Sequence, residues 1–326
     1  MQAVVITEPG APDVLRVMDV PDPEPGPGEI RVRISATAVN RADLLQRQGH
    51  YAAPSGWPET IPGLEFAGQV EALGPNVTVW SPGDRVMGLL GGGGYAEYVV
   101  LEADAATAIP PGLSDVEAAA VPEAFITAED ALELRMGLRS GETLLVHAVG
   151  SGVGTAALQL GKAWGGTVMG TSRSAWKLEK AGELGLDLAI DTSDGSFAGA
   201  VLDATAGRGV DAILDLVGGP YLEQDVECAG QLARIAVVGL TGGRFANVDL
   251  GAVLGKRLSL VGTVLRTRPP VEKAAALRSF EEAVVPLLQR GAVKPVIHEV
   301  MAMEDVVRAH ELVEANETFG KVVLSW

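Results

Sequence analysis

The segment Leu144-Leu-Val-His-Ala-Val-Gly-Ser-Gly-Val-Gly154 runs without a break into Thr155-Ala-Ala-Leu-Gln-Leu160, and its reading decides the fold. An apolar run of strand length ends in a turn made of Gly150, Ser151, Gly152, Val153 and Gly154. The residues that follow place Val153, Ala156, Ala157, Leu160 and Trp164 on one face of a 3.6-residue period. A strand, a tight turn and a helix that packs back on its sheet are therefore expected. Without a Cβ the backbone can approach a bound group closely, and a helix start offers free N–H groups at the positive end of its dipole, so the turn suits a pyrophosphate. Tight turns need glycine for steric reasons as well, and the weight of the reading rests on what surrounds the turn.

Outward from that turn, apolar runs alternate with helical segments from about residue 122 onward, the rhythm of βαβ units and a parallel sheet. Strands are expected at 143–148, 167–171, 188–190, 210–217, 235–239 and 258–265, six in all, as in a doubly wound dinucleotide fold. Beyond Pro269-Pro270 a helix over 271–291, an extended piece over 294–300, a helix over 304–316 and a last strand over 321–325 follow. Before residue 120 the pattern differs: alternating runs such as Glu29-Ile-Arg-Val-Arg-Ile-Ser35 are cut by turns such as Pro25-Gly-Pro-Gly28 and Ser81-Pro-Gly-Asp84, which predicts an antiparallel, barrel-like domain.

The strand after the turn ends in Val168-Met-Gly-Thr-Ser-Arg-Ser-Ala-Trp-Lys177. About 20 residues past the glycines, an NAD site places an acid against the adenosine ribose. No acid occurs here before Glu179; Thr171, Ser172, Arg173, Ser174 and Lys177 stand in its place. Hydroxyls and cations suit a 2′-phosphate, which favours NADP.

Composition narrows the partners. Lys and Arg total 25 against 42 Asp and Glu, a net charge of −17 that repels nucleic acid and anionic membrane. One cysteine, Cys228, supplies neither a disulfide nor a thiolate cluster, and no histidine or carboxylate spacing reads as a metal site. The N-terminus lacks the basic and apolar regions of a signal peptide, and the uncharged stretch 143–161 is broken by glycine, His147 and Gln159, so a cytoplasmic chain without a membrane span is expected.

Several segments carry a family resemblance: Val39-Asn-Arg-Ala-Asp-Leu-Leu-Gln-Arg-Gln-Gly-His-Tyr51, Pro62-Gly-Leu-Glu-Phe-Ala-Gly68, Gly83-Asp-Arg-Val-Met87, Gly92-Gly-Gly-Tyr-Ala-Glu-Tyr98, Val121-Pro-Glu-Ala-Phe-Ile-Thr-Ala128, the glycine turn, and Gly320-Lys-Val-Val-Leu324. They occur in family order over nearly the whole chain. The sequence resembles the zinc-independent quinone oxidoreductases of the medium-chain dehydrogenase/reductases, and among them the tumour-suppressor-induced branch. The resemblance implies a GroES-like catalytic domain over 1–121 and 266–326, with a Rossmann domain over 122–265 inserted in it. It also implies cofactor and substrate meeting in an interdomain cleft, and a homodimer joined through Rossmann edge strands near 235–265. Zinc-dependent relatives carry Cys in the loop read here as Val39-Asn40 and His between the residues read as Gly63 and Glu65. Both are missing, so no metal is expected.

By position, the resemblance assigns Asn40 and Tyr51 to the nicotinamide and substrate pocket and Thr127 to the nicotinamide end. It assigns Gly150, Ser151, Gly152, Val153 and Gly154 to the pyrophosphate, and Ser172, Arg173 and Lys177 to the 2′-phosphate side, where the residue types also add Thr171. Gly239, Leu240, Val264 and Leu265 fall along the nicotinamide half. One departure is Asp191-Thr192, where many relatives have an Asn-Tyr pair that contacts the adenosine phosphate; it implies a less strict NADP preference. Glu65 reads as a structural acid holding backbone N–H groups or a cation, and His147 as a satisfied core histidine. The implied activity is NADPH-dependent reduction of a quinone, with Tyr51 and Asn40 as donors to the developing oxyanion. A reductase of conjugated C=C bonds in enoyl or alkenal substrates uses the same scaffold, and a nucleotide-binding structural protein without turnover is the reading from another class.

Overall fold

The computed structural model describes residues 1–326 and divides into two compact units: Met1–Ile126 with Leu265–Gln289 and Pro295–Trp326, and Thr127–Val264 with Arg290–Lys294. The expected divisions at 121 and 266 thus fall at 126 and 265, and the short segment Arg290–Lys294 joins the second unit. In chain order the strands are β1 (Gln2–Ile6), β2 (Leu15–Asp19), β3 (Glu29–Ala38), β4 (Glu65–Leu73), β5 (Arg85–Leu89), β6 (Tyr98–Glu102) and β7 (Ala106–Ala108). They continue as β8 (Thr143–Val146), β9 (Thr167–Ser172), β10 (Leu188–Asp191), β11 (Val210–Asp215), β12 (Ala229–Val237), β13 (Ser259–Gly262), β14 (Ile297–Ala302) and β15 (Lys321–Ser325).

The first unit holds a β1–β2 pair and a seven-stranded sheet in the order β14-β15-β3-β4-β5-β7, with β6 also on β3. All its pairings are antiparallel except β14 with β15, so the sheet is mixed. Alternation in β3 buries Ile30, Val32 and Ile34, which pack with Phe66, Val70, Val86 and Val99. The second unit is an all-parallel sheet in the order β10-β9-β8-β11-β12-β13, the doubly wound order with the glycine turn following its first strand. Its strands carry near-continuous apolar runs because both faces are covered.

Some boundaries differ for local reasons. Strand β11 stops at Asp215, short of Val217, because the Asp215 carboxylate accepts the N–H groups of Val217 and Gly218 at 2.8 Å and turns the chain. The helix expected over 271–291 is two helices, Pro270–Ala283 and Val285–Gln289, since Pro286 has no N–H to continue the ladder. No helix is long and apolar enough to cross a membrane.

Two buried polar networks hold the first unit. Lys321 of β15 sits 2.8 Å from Glu65 of β4, both side chains buried, and its ammonium also reaches the Val39 carbonyl at 3.1 Å and Asn40 Oδ1. The pair ties together the two strands that flank β3. In the second network Arg47, which can only donate, gives a hydrogen bond to His310 Nδ1 at 3.3 Å, so His310 Nε2–H faces the Tyr95 oxygen at 3.2 Å. The Tyr95 hydroxyl donates onward to Asp43 at 3.2 Å. Burial, with the Arg47 charge adding to it, pushes the imidazole of His310 down to about 3, and burial pushes the Asp43 carboxyl up to about 6.

Lys321→Met leaves the Glu65 charge buried without a partner and is expected to cost about 3–5 kcal/mol in urea unfolding, whereas Glu65→Gln with Lys321→Met recovers much of that loss. A single-variant cost under about 1 kcal/mol contradicts the pairing. His310 stays neutral in the fold but takes a proton in the unfolded chain below about pH 6.5. Its contribution to stability is therefore lost as pH falls from about 6.5 toward 3, and the stability gap between wild type and His310→Gln narrows over that range. A gap independent of pH rules the neutral histidine out.

Candidate functional site

In the second unit the glycine turn is built as the spacing predicts. Ser151 caps the helix Gly152–Ala163, its Oγ accepting the Gly154 N–H at 3.0 Å. The N–H groups of Gly152 and Val153 lie ahead of any helical acceptor and are open to a ligand. Gly154 also meets a steric requirement of the turn. A Cβ there would lie 2.4 Å from the Ala148 carbonyl and 2.8 Å from the Val149 Cα, so this glycine seats the helix on its own turn. Ala148 has φ +46°, an uncommon conformation for a residue with a Cβ; the Val149 N–H bound to the Thr171 carbonyl at 3.0 Å and the Ser151 N–H bound to the Ala148 carbonyl at 2.8 Å hold it there. Gly150 stands between them, in the same turn. The turn, its open N–H groups and the basic strand tip described next form a cradle that fits a dinucleotide.

At the tip of β9, Arg173 is exposed, Ser174 precedes the helix Ala175–Glu183, and Lys177 lies 5.4 Å from the Trp176 ring. Ser172 is buried and its Oγ accepts the Ser174 N–H at 3.1 Å. Thr171 turns inward: its hydroxyl meets His147 Nδ1 at 2.9 Å, so its side chain is not on the phosphate side. His147 Nε2 meets Asp225 at 2.7 Å, and its ring packs edge-on against Phe197 and Tyr221, which makes it a satisfied core histidine. Burial pushes the Asp225 carboxyl up to about 6, with His147 pulling the other way. Thr192, where relatives have tyrosine, is buried and accepts the Tyr221 hydroxyl at 3.0 Å.

The nicotinamide-side residues are divided. Gly239 is required by a backbone crossing, a Cβ there lying 2.3 Å from the Leu216 carbonyl, while Leu240 and Val264 are about half exposed at 56% and 48%. Leu265 is buried and belongs to the first unit. Thr127 is buried and opens the second unit, between two wide, π-type helical turns at Pro122–Ile126 and Asp130–Arg135.

In the first unit Asn40 is locked by charge. Its amide donates to Glu65 at 2.8 Å and to the Ala38 carbonyl at 3.1 Å and accepts from Lys321. The backbone N–H of Asn40 is met by Asp43 at 2.8 Å. Glu65 thus plays the structural part read from sequence, holding Lys321, the Asn40 amide and, through its second oxygen, the Glu123 N–H at 2.8 Å. Tyr51 lies 4.8 Å over the guanidinium of Arg266. Arg266 is buried and donates to Gly91 and Tyr51 carbonyls and to Gln46. Trp57 lies flat enough on Gly91 that a Cβ there would fall 2.4 Å from its ring, and Lys273 stands 5.8 Å from the Trp57 ring centre. Burial, with the Glu123 charge adding and Arg266 opposing, raises the Tyr51 phenol above its ordinary value and keeps it a donor at neutral pH. Arg266 thus joins the Tyr51 ring to Gly91, the glycine on which Trp57 packs. Both Asn40 amide hydrogens are thus spent, on Glu65 and on the Ala38 carbonyl, so the donor role expected of Asn40 toward an oxyanion is not available to it here, while Tyr51 keeps its hydroxyl. Sequence reading did not name Trp57, Arg266, Lys273 or Lys321 for this region, because no spacing links them. No group of three or more His, Cys, Asp or Glu side chains is arranged to hold a metal ion.

Comparison with known proteins agrees with this geometry. Residues 26–111 match the alcohol dehydrogenase GroES-like domain, and residues 152–282 match the family described as zinc-binding dehydrogenase. A quinone oxidoreductase of Pseudomonas aeruginosa is 35% identical over 320 residues, covering 97% of this chain and 96% of that protein. Among solved structures, an NAD-dependent alcohol dehydrogenase superposes with a TM-score of 0.88 at 34% identity, covering 100% of both chains. The NADPH complex of the mycobacterial protein Rv1454c gives 0.88 at 29%, again covering 100% of both. With this similarity running the length of the molecule, and both domain types in their proper order, the chain belongs to the quinone oxidoreductase family of medium-chain dehydrogenases/reductases and is an oxidoreductase.

Proposed function

We propose that the chain is a cytoplasmic, zinc-independent, NADPH-dependent quinone oxidoreductase that acts as a homodimer. The observation that carries the cofactor preference is the tip of β9, where Arg173 is exposed, Lys177 follows, and no carboxylate stands before Glu179. A bound reduced nicotinamide supplies a hydride equivalent to the acceptor. The chain's own part is placement. The Gly152 and Val153 N–H groups hold the pyrophosphate at the helix start, and Arg173 and Lys177 meet the 2′-phosphate. On the first unit, Tyr51 and Trp57 present flat apolar faces to a quinone ring, and the Tyr51 hydroxyl is a donor to the oxygen on which charge develops. Lys321 plays the part of a built-in cation at Glu65 and Asn40, which supports chemistry without zinc. Similarity to a quinone oxidoreductase over nearly the whole chain supports a quinone over an enoyl or alkenal acceptor.

Dimerisation is supported by the free edge of β13 and the apolar side chains around it. Leu250, Leu254 and Leu260 are exposed by 74%, 80% and 54%, and Phe245 by 83%. An unpaired edge beside such a patch is a pairing surface.

Removing both cations, Arg173→Ala with Lys177→Ala, is expected to weaken NADPH by about tenfold or more while changing NADH little, each charge-assisted hydrogen bond contributing roughly 1.5–3 kcal/mol. Equal weakening of both nucleotides in a fluorescence titration refutes the assignment. In an NADPH oxidation assay, ortho- and para-quinones are turned over faster than an enoyl thioester; reduction of the thioester alone gives the enoyl reductase reading, and tight nucleotide binding with no turnover on any acceptor gives the structural one. Light scattering is expected to report two chains for wild type and one for Leu254→Glu.

A further inference from the structure

The first unit contains two lysines, and they are treated very differently. Lys321 is sealed into its ion pair with Glu65. Lys273, half-buried in the first turn of the helix Pro270–Ala283, makes neither a hydrogen bond nor an ion pair. A helix offers a side chain its partners three and four residues away, and here those positions are Pro269, Pro270, Ala276 and Leu277, none of them an acid. The ammonium stands instead 5.8 Å from the centre of the Trp57 ring. The neighbouring cation shows the same shortage. Arg266, 4.8 Å from the centre of the Tyr51 ring, directs its donors to the Gly91 and Tyr51 carbonyls and to the Gln46 amide oxygen, with no carboxylate among them. Trp57 packs on that same Gly91, so the sequence Lys273, Trp57, Gly91, Arg266, Tyr51 is continuous within the first unit. Burial, with Glu123 pulling the other way and Arg266 adding, lowers the Lys273 ammonium below its ordinary value, as befits a cation short of an acceptor. In a chain of net charge −17 this is a locally positive spot.

We propose that Lys273 determines substrate specificity by selecting aromatic acceptors that carry an acid group, a carboxylate or sulfonate, which its ammonium binds while the Trp57 indole contacts the ring. This rests on the reading of the chain as a quinone reductase and adds the class of quinone. An ammonium held over an indole has already lost water on the ring side, so an incoming acid group displaces less water and gains a charge-assisted hydrogen bond. A neutral quinone meets the same indole but leaves the ammonium without an acceptor, so the discrimination is one of charge rather than of shape. Three donors on a flexible stem reach an acid group at more than one position on the ring, which makes the presence of the charge, and not its exact place, the selected property.

Naphthalenesulfonate and its neutral counterpart naphthalenesulfonamide test the subsite without turnover. In calorimetry on the nucleotide-free protein, Lys273→Gln is expected to weaken the sulfonate about tenfold, the effect of losing one charge-assisted hydrogen bond, and to leave the sulfonamide unchanged. Lys273→Arg retains sulfonate binding. So does Arg278→Gln, which removes an exposed cation of the same helix and controls for net charge. In turnover with NADPH, the probes are a trimethyl-para-benzoquinone bearing a propionate arm and the methyl ester of that compound. Lys273→Gln is expected to raise KM for the acid about tenfold at unchanged kcat, while the ester keeps its wild-type constants. Equal effects of Lys273→Gln on the charged and neutral members of either pair overturn the proposal, as does an equal loss of sulfonate binding in Arg278→Gln, and the quinone reductase reading stands in both cases. A wild type that binds the sulfonate through Lys273 but reduces no quinone overturns the reductase reading and supports the acid-binding subsite.

Discussion

A buried carboxylate cannot stay charged in a protein interior unless a partner meets it, and the first unit is arranged around that constraint. Glu65 is completely enclosed, and Lys321, reaching in from the last strand, is its only full countercharge. Once the pair is set, its remaining valences fix other parts. The Asn40 amide is held between the two, and the Glu123 backbone is held by the second carboxylate oxygen. Two residues far apart in the chain thus orient the loop after β3 and the turn that leads out of the unit. The second buried chain, from Arg47 through His310 and Tyr95 to Asp43, ends on the same loop at the Asn40 N–H.

The parallel-sheet unit solves a similar problem with less charge. His147 and Asp225 are both fully buried and bind each other, and Thr171 completes the imidazole's partners. The side chains at the strand ends nearest the glycine turn are consumed in holding the strands in register. What is left for a ligand is backbone at the helix start and the side chains just past the end of β9.

Much of this was legible in the sequence, and the exceptions have physical causes. The strand, turn and helix over 144–160 follow from glycine placement and apolar periodicity, both local properties, and the six parallel strands follow from repetition of that rhythm. The absence of an acid after β9 could be read directly from residue types. The two-helix form of 270–289 was missed because Pro286 sits where it can also begin a helix. Thr171 was read as facing outward because a strand's alternation does not say which hydroxyl a distant histidine will claim. Arg266 and Lys273 were not legible at all. They are brought to Tyr51 and Trp57 by the return of the chain into the first unit after some 140 residues spent in the second, and no local pattern encodes such a meeting.

The contact of Gly154 with the Ala148 carbonyl has an evolutionary corollary. A helix seated backbone to backbone on its own turn has no room for side-chain variation at that point, so the shape of the turn is fixed with the fold itself. Arg173 lies outside that constraint, exposed and unburdened by packing. Substitution at Arg173 therefore changes the charge beside the turn with little thermodynamic penalty to the fold.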